Sequence, residues 1–115
     1  MQQEIIILVN SLDLCRFFYR EALKLGEPVI DSSELVVFKL GENSSLVLEG
    51  TKAKYLEHTS SAFSWSIEVE DFDAISAELE KNGNTSGEEF IRFGRRTRRV
   101  CDPESNPFYI TAKSN

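Results

Sequence analysis

Histidine is almost missing from this chain: His58 is the single one among 115 residues, and tryptophan and methionine also occur once each. Catalysis that turns on a histidine base, or a metal site built mainly of imidazoles, therefore has almost nothing to work with. His58 falls in a polar stretch and is read as a surface residue. Cysteine is scarce too. Cys15 and Cys101 lie far apart without metal-type spacing, so two free thiols are expected rather than a bridge or a zinc site. No long apolar run exists. Ile5 to Val9 is too short to cross a bilayer and lacks the flanks of a secretory signal, so no membrane partner and a cytoplasmic location are expected. Basic excess is absent as well: the net charge is -6. An acidic chain repels phosphate at long range, and the arginine-rich stretch near its end has few stacking aromatics, so nucleic acid is excluded as a partner.

What remains is an ordinary globular composition, 41% hydrophobic and 28% charged, in a chain long enough for a core without staples. Glu4 to Val9 reads as a strand. A helix follows from about Asp13, with Leu14, Phe17, Phe18 and Ala22 at helical steps and Phe17, Phe18 and Tyr19 expected in the core; Gly26 and Pro28 close it. Strands are expected at Val29-Ile30, Leu35 to Leu40 and Ser45 to Glu49, separated by turn residues. Thr51 to Ala62 shows no period and reads as a connector. The pattern then restarts. Trp65, Ile67 and Val69 alternate with polar neighbours, Asp71 to Asn82 is an amphipathic helix ended by Gly83, and short strands fit at Gly87 to Ile91, Thr97 to Cys101 and Phe108 to Ala112.

Sliding the sequence by 60 positions lays Ile67 on Ile7, Val69 on Val9 and Asp73 on Asp13. The order strand, helix, three strands occurs twice, which points to a duplicated βαβββ unit. Three stretches then carry a resemblance. VNSLDLCRFFYREALKLG, residues 9 to 26, resembles the first strand-to-helix passage of the vicinal oxygen chelate superfamily, the glyoxalase, bleomycin-resistance and extradiol-dioxygenase-like proteins. IEVEDFDAISAELEKNG, residues 67 to 83, resembles the opening of the second module. GRRTRRVCDPESNPFYI, residues 94 to 110, resembles the closing hairpin, with Ser105 where the family has a turn glycine. The resemblance implies an α+β fold of two βαβββ modules, about 1–55 and 62–115, in a single domain. The mixed sheets form cups with helices on the outer faces. It also implies a homodimer.

Strand alternation sorts the residues. With Ile5, Ile7, Val9, Trp65, Ile67 and Val69 under the helices, Glu4, Ser64, Ser66 and Glu68 face the cavity. The resemblance places metal ligands at Glu4, Ser64, Tyr109 and either Val47 or Glu49. Valine is no ligand, and serine and neutral tyrosine are poor ones, so no metal and no cofactor is expected.

Five arginines crowd positions 92 to 99. Arg95, Thr97, Arg99 and Cys101 share one strand face, and the resemblance points Thr97 and Arg99 into the cup, with Arg95 nearer its mouth. A guanidinium in a concave site is a fork for carboxylate or phosphate. The competing reading pairs these arginines internally with Glu4, Glu49 and Glu68. Arg92, Arg96 and Arg98 are read as solvated. The expected function is a metal-independent binder of an anionic small molecule, of bleomycin-resistance type. The candidate site is Arg95, Thr97 and Arg99 with Glu4, Glu49, Ser64, Glu68 and Tyr109, and no catalytic residue is identified. The alternatives are a glyoxalase-type lyase or isomerase using metal through Glu4 and Glu49, and an interaction domain with a vestigial cup.

Overall fold

The computed structural model describes residues 3–50 and 64–113; the connector with His58 and Tyr55 lies outside them. The chain divides into two compact units, Met1–Ser60 and Ser61–Asn115. The first contains strand β1 (Gln3–Val9), helix α1 (Leu12–Phe17) running into a π-helical turn (Phe18–Ala22), and strands β2 (Ile30–Asp31), β3 (Leu35–Gly41) and β4 (Ser44–Gly50). The second contains β5 (Ser66–Val69), α2 (Phe72–Lys81), β6 (Thr85–Arg92), β7 (Arg95–Cys101) and β8 (Pro107–Ala112). Each is a βαβββ module with the same sheet topology, β1-β4-β3-β2 and β5-β8-β7-β6. In both, the first strand runs parallel to the last and the other pairs are antiparallel.

The two helices start in the same way. Ser11 and Asp71 cap them by accepting a hydrogen bond from the backbone N–H three residues on, at 3.4 Å from Leu14 and 3.0 Å from Ala74. Helix α2 then lays Phe72, Ile75 and Leu79 against its sheet. Helix α1 departs from the expected face. Leu14 and Phe17 are 51% and 58% exposed, while Cys15, Phe18 and Tyr19 are buried. The buried stripe follows Leu12, Cys15, Phe18 and Tyr19 at ordinary helical steps, and the π turn carries it on to Leu23, whose N–H reaches back five residues to the Phe18 carbonyl at 3.0 Å. Lys24 ends the turn in the left-handed region (φ 62), followed by Gly26 (φ 82).

The helix-facing sides of the sheets form the two cores. In the first, Val9, Val36, Phe38, Leu46 and Leu48 are fully buried; in the second, Val100, Phe108 and Ile110 are. Strand phase thus agrees with the alternation in the sequence. Strand β6 begins at Thr85, two residues before its expected start, and β7 begins at Arg95 straight after a two-residue turn.

At the β7–β8 turn, Ser105 takes φ 67, a conformation that suits the glycine it replaces. Ser105→Gly is expected to raise the unfolding free energy by about 0.5 kcal/mol, net of the added chain entropy. Urea denaturation measures it.

Two arginines read as solvated tie α2 to its sheet instead. Arg96 lies over the Phe72 ring at 4.8 Å and donates to Asp73 at 2.7 Å and Glu89 at 2.7 Å. Arg98 donates to Ser76 Oγ at 2.8 Å and to Glu80 at 3.1 Å, and its side chain is 15% exposed. Asp73, Ser76 and Glu80 recur at helical spacing on the face of α2 above β7, so the positive row meets a polar row.

Hydrogen bonds from Arg96 hold the Asp73 and Glu89 carboxyls below the usual carboxylate range. Folding lowers both values, so the stability they add is complete above the unfolded carboxylate value of about 4 and is lost as pH falls through the folded values. Thermal unfolding followed from pH 5 downward should therefore fall more steeply in the wild type than in Arg96→Met.

Candidate functional site

On each sheet, the face away from the helix carries the candidate residues, and the ladder registers fix which ones stand together. In the second module Tyr109 pairs with Ser66 of β5 and with Arg99 of β7, and Thr97 pairs with Thr111 and with Phe90. Arg92 pairs with Arg95 across the β6–β7 hairpin. Directly paired residues share a face. Ser64, Glu68, Arg95, Thr97, Arg99 and Tyr109 therefore all belong to one open face, joined by Phe90, Arg92 and Cys101.

Their environments differ. Arg95 Nη1 lies 3.4 Å from Glu68 Oε2, so for this arginine the internal pairing holds. Arg99 makes no such pair among the described residues; its Nη1 sits 3.5 Å from Cys101 Sγ. Thr97 is fully buried, and its hydroxyl donates to the Arg95 carbonyl at 3.1 Å. That hydroxyl is turned back on its own strand rather than presented at the surface.

A hollow of about 310 Å³ opens on this face, lined by Ser64, Trp65, Ser66, Phe90, Arg92 and Tyr109. Phe90 and Tyr109 meet edge to face, with ring centroids 6.0 Å apart. Trp65 closes the hollow from behind while stacking on Phe108 at 4.5 Å in the core. Its cation among the described residues is Arg92, exposed as the sequence reading had it yet part of the lining. Arg92 stands over the Phe93 ring at 5.0 Å and has no carboxylate partner among the described residues. The signal for it was the turn. Phe93 (φ 50) and Gly94 (φ 76) form a two-residue hairpin loop, and that loop length puts Arg92 opposite Arg95 on the same face.

In the first module the open face carries Glu4, Ile6 and Leu8 of β1 beside Ser45, Val47 and Glu49 of β4. Glu4 pairs with Ser45, and Glu49 with Leu8, so the two carboxylates are four residues apart along the ladder, about 13 Å. Side chains standing off the sheet at that spacing do not reach one ion at about 2.0–2.2 Å each. The residue between them, Val47, is buried and brings no donor atom.

The metal that such a fold often carries is not matched by these residues. In the second unit, Ser64 and Tyr109 offer only a serine hydroxyl and a phenol, and neither is a good divalent ligand. Among the described residues, no three His, Cys, Asp or Glu side chains form a group able to hold a metal ion. No helix among them is long and apolar enough to cross a membrane.

No protein-family model and no curated protein matches the chain. Solved structures do. Lactoylglutathione lyase from Agrobacterium tumefaciens is 19% identical, with 97% of this chain and 92% of that one covered and a TM-score of 0.72. A member of the glyoxalase/bleomycin resistance protein/dioxygenase superfamily from Sphaerobacter thermophilus is 18% identical, covering 98% and 97%, with a TM-score of 0.75. A glyoxalase/bleomycin resistance protein from Albidiferax ferrireducens is 15% identical, covering 99% and 98%, with a TM-score of 0.77. Identities this low speak to architecture alone, and over the full length they agree: this chain has the fold of the glyoxalase/bleomycin resistance protein/dioxygenase superfamily, the vicinal oxygen chelate fold.

Proposed function

We propose that this protein binds a small anionic organic molecule without a metal, on the open face of the second sheet. The observation that carries the reading is a pair of guanidiniums, Arg92 and Arg99, standing on that face without a carboxylate partner among the described residues. A charge without a protein partner is a ready ligand for an anion, and arginine's fork suits carboxylate and phosphate oxygens. Ser64, Ser66 and Tyr109 offer hydroxyls beside the cations, and Arg95 with Glu68 forms the polar rim. Glu4 and Glu49 belong to the other sheet and are not required. The two units act as one domain in this reading, in a cytoplasmic homodimer.

The name of the Agrobacterium relative raises lyase chemistry. The donor set argues against taking that chemistry over by a metal route, since no convergent ligand group among the described residues supports it. Protein treated with a chelator and dialysed should keep its ligand response in thermal unfolding against small carboxylates and phosphates. At a hundredfold excess over Kd the expected gain is about 2.7 kcal/mol. Stoichiometric nickel, zinc, iron or manganese in the purified protein, or a response abolished by chelation, would overturn the proposal.

A further inference from the structure

The hollow on the second sheet narrows the ligand class, building on the anion-binding reading. We infer that it takes a planar aromatic monocarboxylate, with the carboxylate on Arg92 and the ring between the aromatic pair Phe90–Tyr109 and the serine wall. Among the described residues, Arg92 is the one cationic side chain lining the hollow, and no acidic side chain lines it. A cationic ligand would find no counter-charge there. A phosphate dianion would want a second free cation at the hollow, but Arg95 on the strand opposite already faces Glu68 at 3.4 Å, and Arg99, four residues further along β7, is not part of the lining.

The remaining lining selects shape. Phe90 and Tyr109 bridge above the buried Thr97 of the strand between them, and their edge-to-face geometry offers one ring face and one ring edge. Ser64 and Ser66 lie two residues apart and so on one side of their strand, and their small side chains leave the opening a flat group needs. A volume of about 310 Å³ is at the small end for ligand sites, enough for one or two fused rings. A purely apolar guest would leave Arg92 and three hydroxyls without partners.

Phe93 adds an independent observation. It adopts φ 50, unfavourable for an aromatic residue, and its ring is 89% exposed, so neither backbone preference nor burial accounts for it. Its ring does lie against the Arg92 guanidinium, at 5.0 Å. Phe93 is thus a positioning residue that holds Arg92 in place at the end of the hairpin.

The test is titration of the full-length protein, at fixed ionic strength, with 2-naphthoate, cyclohexanecarboxylate, succinate and inorganic phosphate. Emission of Trp65, the single tryptophan and part of the lining, reports occupancy alongside calorimetry. 2-Naphthoate should bind at least tenfold more tightly than the three others. Arg92→Gln should weaken it at least tenfold, and Ser66→Leu, which fills the opening, should abolish it. Phe93→Asn should raise Tm, because asparagine accepts positive φ, yet weaken 2-naphthoate about threefold or more. A purely structural Phe93 would change Tm and leave affinity alone. Equal binding of the aliphatic acids, or loss of binding in Arg99→Gln but not in Arg92→Gln, overturns this inference while anion binding itself stands. No response to any of the four probes removes both.

Discussion

Asp102→Ala should lower the unfolding free energy by about 3 kcal/mol, a Tm loss of about 12 °C for a chain of this length. Asp102 is 3% exposed at the end of β7, and its carboxylate reinforces a turn to β8 that two backbone bonds, Asp102 N–H to the Asn106 carbonyl at 3.0 Å and Ser105 N–H to the Asp102 carbonyl at 2.9 Å, also hold. Oδ1 accepts from the backbone N–H of Glu104 and of Asn106, both at 2.9 Å. The Asn106 side-chain amide donates to both oxygens, at 3.2 Å and 2.9 Å. Alanine removes one acceptor group and leaves three donor groups without the partner that the buried carboxylate supplied. Hydrogen bonds to a charged acceptor are the stronger kind, and the unmet donors add their own penalty. Asp102→Asn keeps one good acceptor oxygen and should cost about half as much. Thermal and urea unfolding of the pair measures both, and a loss below about 1 kcal/mol in Asp102→Ala would show that the backbone holds the turn unaided.

The same turn governs the site. The β7–β8 register sets Tyr109 opposite Arg99 and Thr97 opposite Thr111. A slip by one residue would carry Tyr109 to the helix side and Phe108 to the open side. Weaker anion binding should therefore accompany the lost stability in Asp102→Ala.

That dependence also explains how much the sequence disclosed. Alternation in β5 put Ser64, Ser66 and Glu68 on one face before any coordinates, whereas in β7 and β8, where residues of both faces are buried, the resemblance supplied the phase of Thr97, Arg99 and Tyr109. The duplication was legible for the same reason, since helices ended by glycine and strands of period two repeat in order. Environment was less legible than phase. Arg96 and Arg98 were placed on the correct side of β7 but read as solvated, because the matching row on α2 is assembled only when helix and sheet pack. Arg92 is exposed, as read, and its place at the hollow was missed for a local reason. Its facing depends on a hairpin loop of two residues, and Phe93-Gly94 puts an aromatic where asparagine or aspartate is the usual cue. The buried face of α1 was mistaken because Leu14 and Phe17 stand at the same three-residue spacing as Leu12, Cys15 and Phe18, so the apolar period fits two faces equally well.

Phe108→Ala is the substitution expected to cost most, about 4 kcal/mol or some 16 °C in Tm. Phe108 is completely buried on the helix side of β8, opposite Val100, and its ring stacks on Trp65 at 4.5 Å and 11°. Removing the ring gives up its transfer energy and leaves a cavity that neighbouring strands, tied into ladders, are unable to close. The effect reaches function through Trp65, which has one face on Phe108 and also lines the hollow. Without its stacking partner the indole can sink into the vacated space, which would deepen and loosen the hollow. Its emission should shift to the blue, and 2-naphthoate affinity should drop even at temperatures where the variant is fully folded. Phe108→Leu refills most of the volume without the flat surface, so it should recover much of the stability but less of the affinity. Recovery of both in equal measure would mean that the stack supports the fold alone and that the back wall of the hollow is set by the strands.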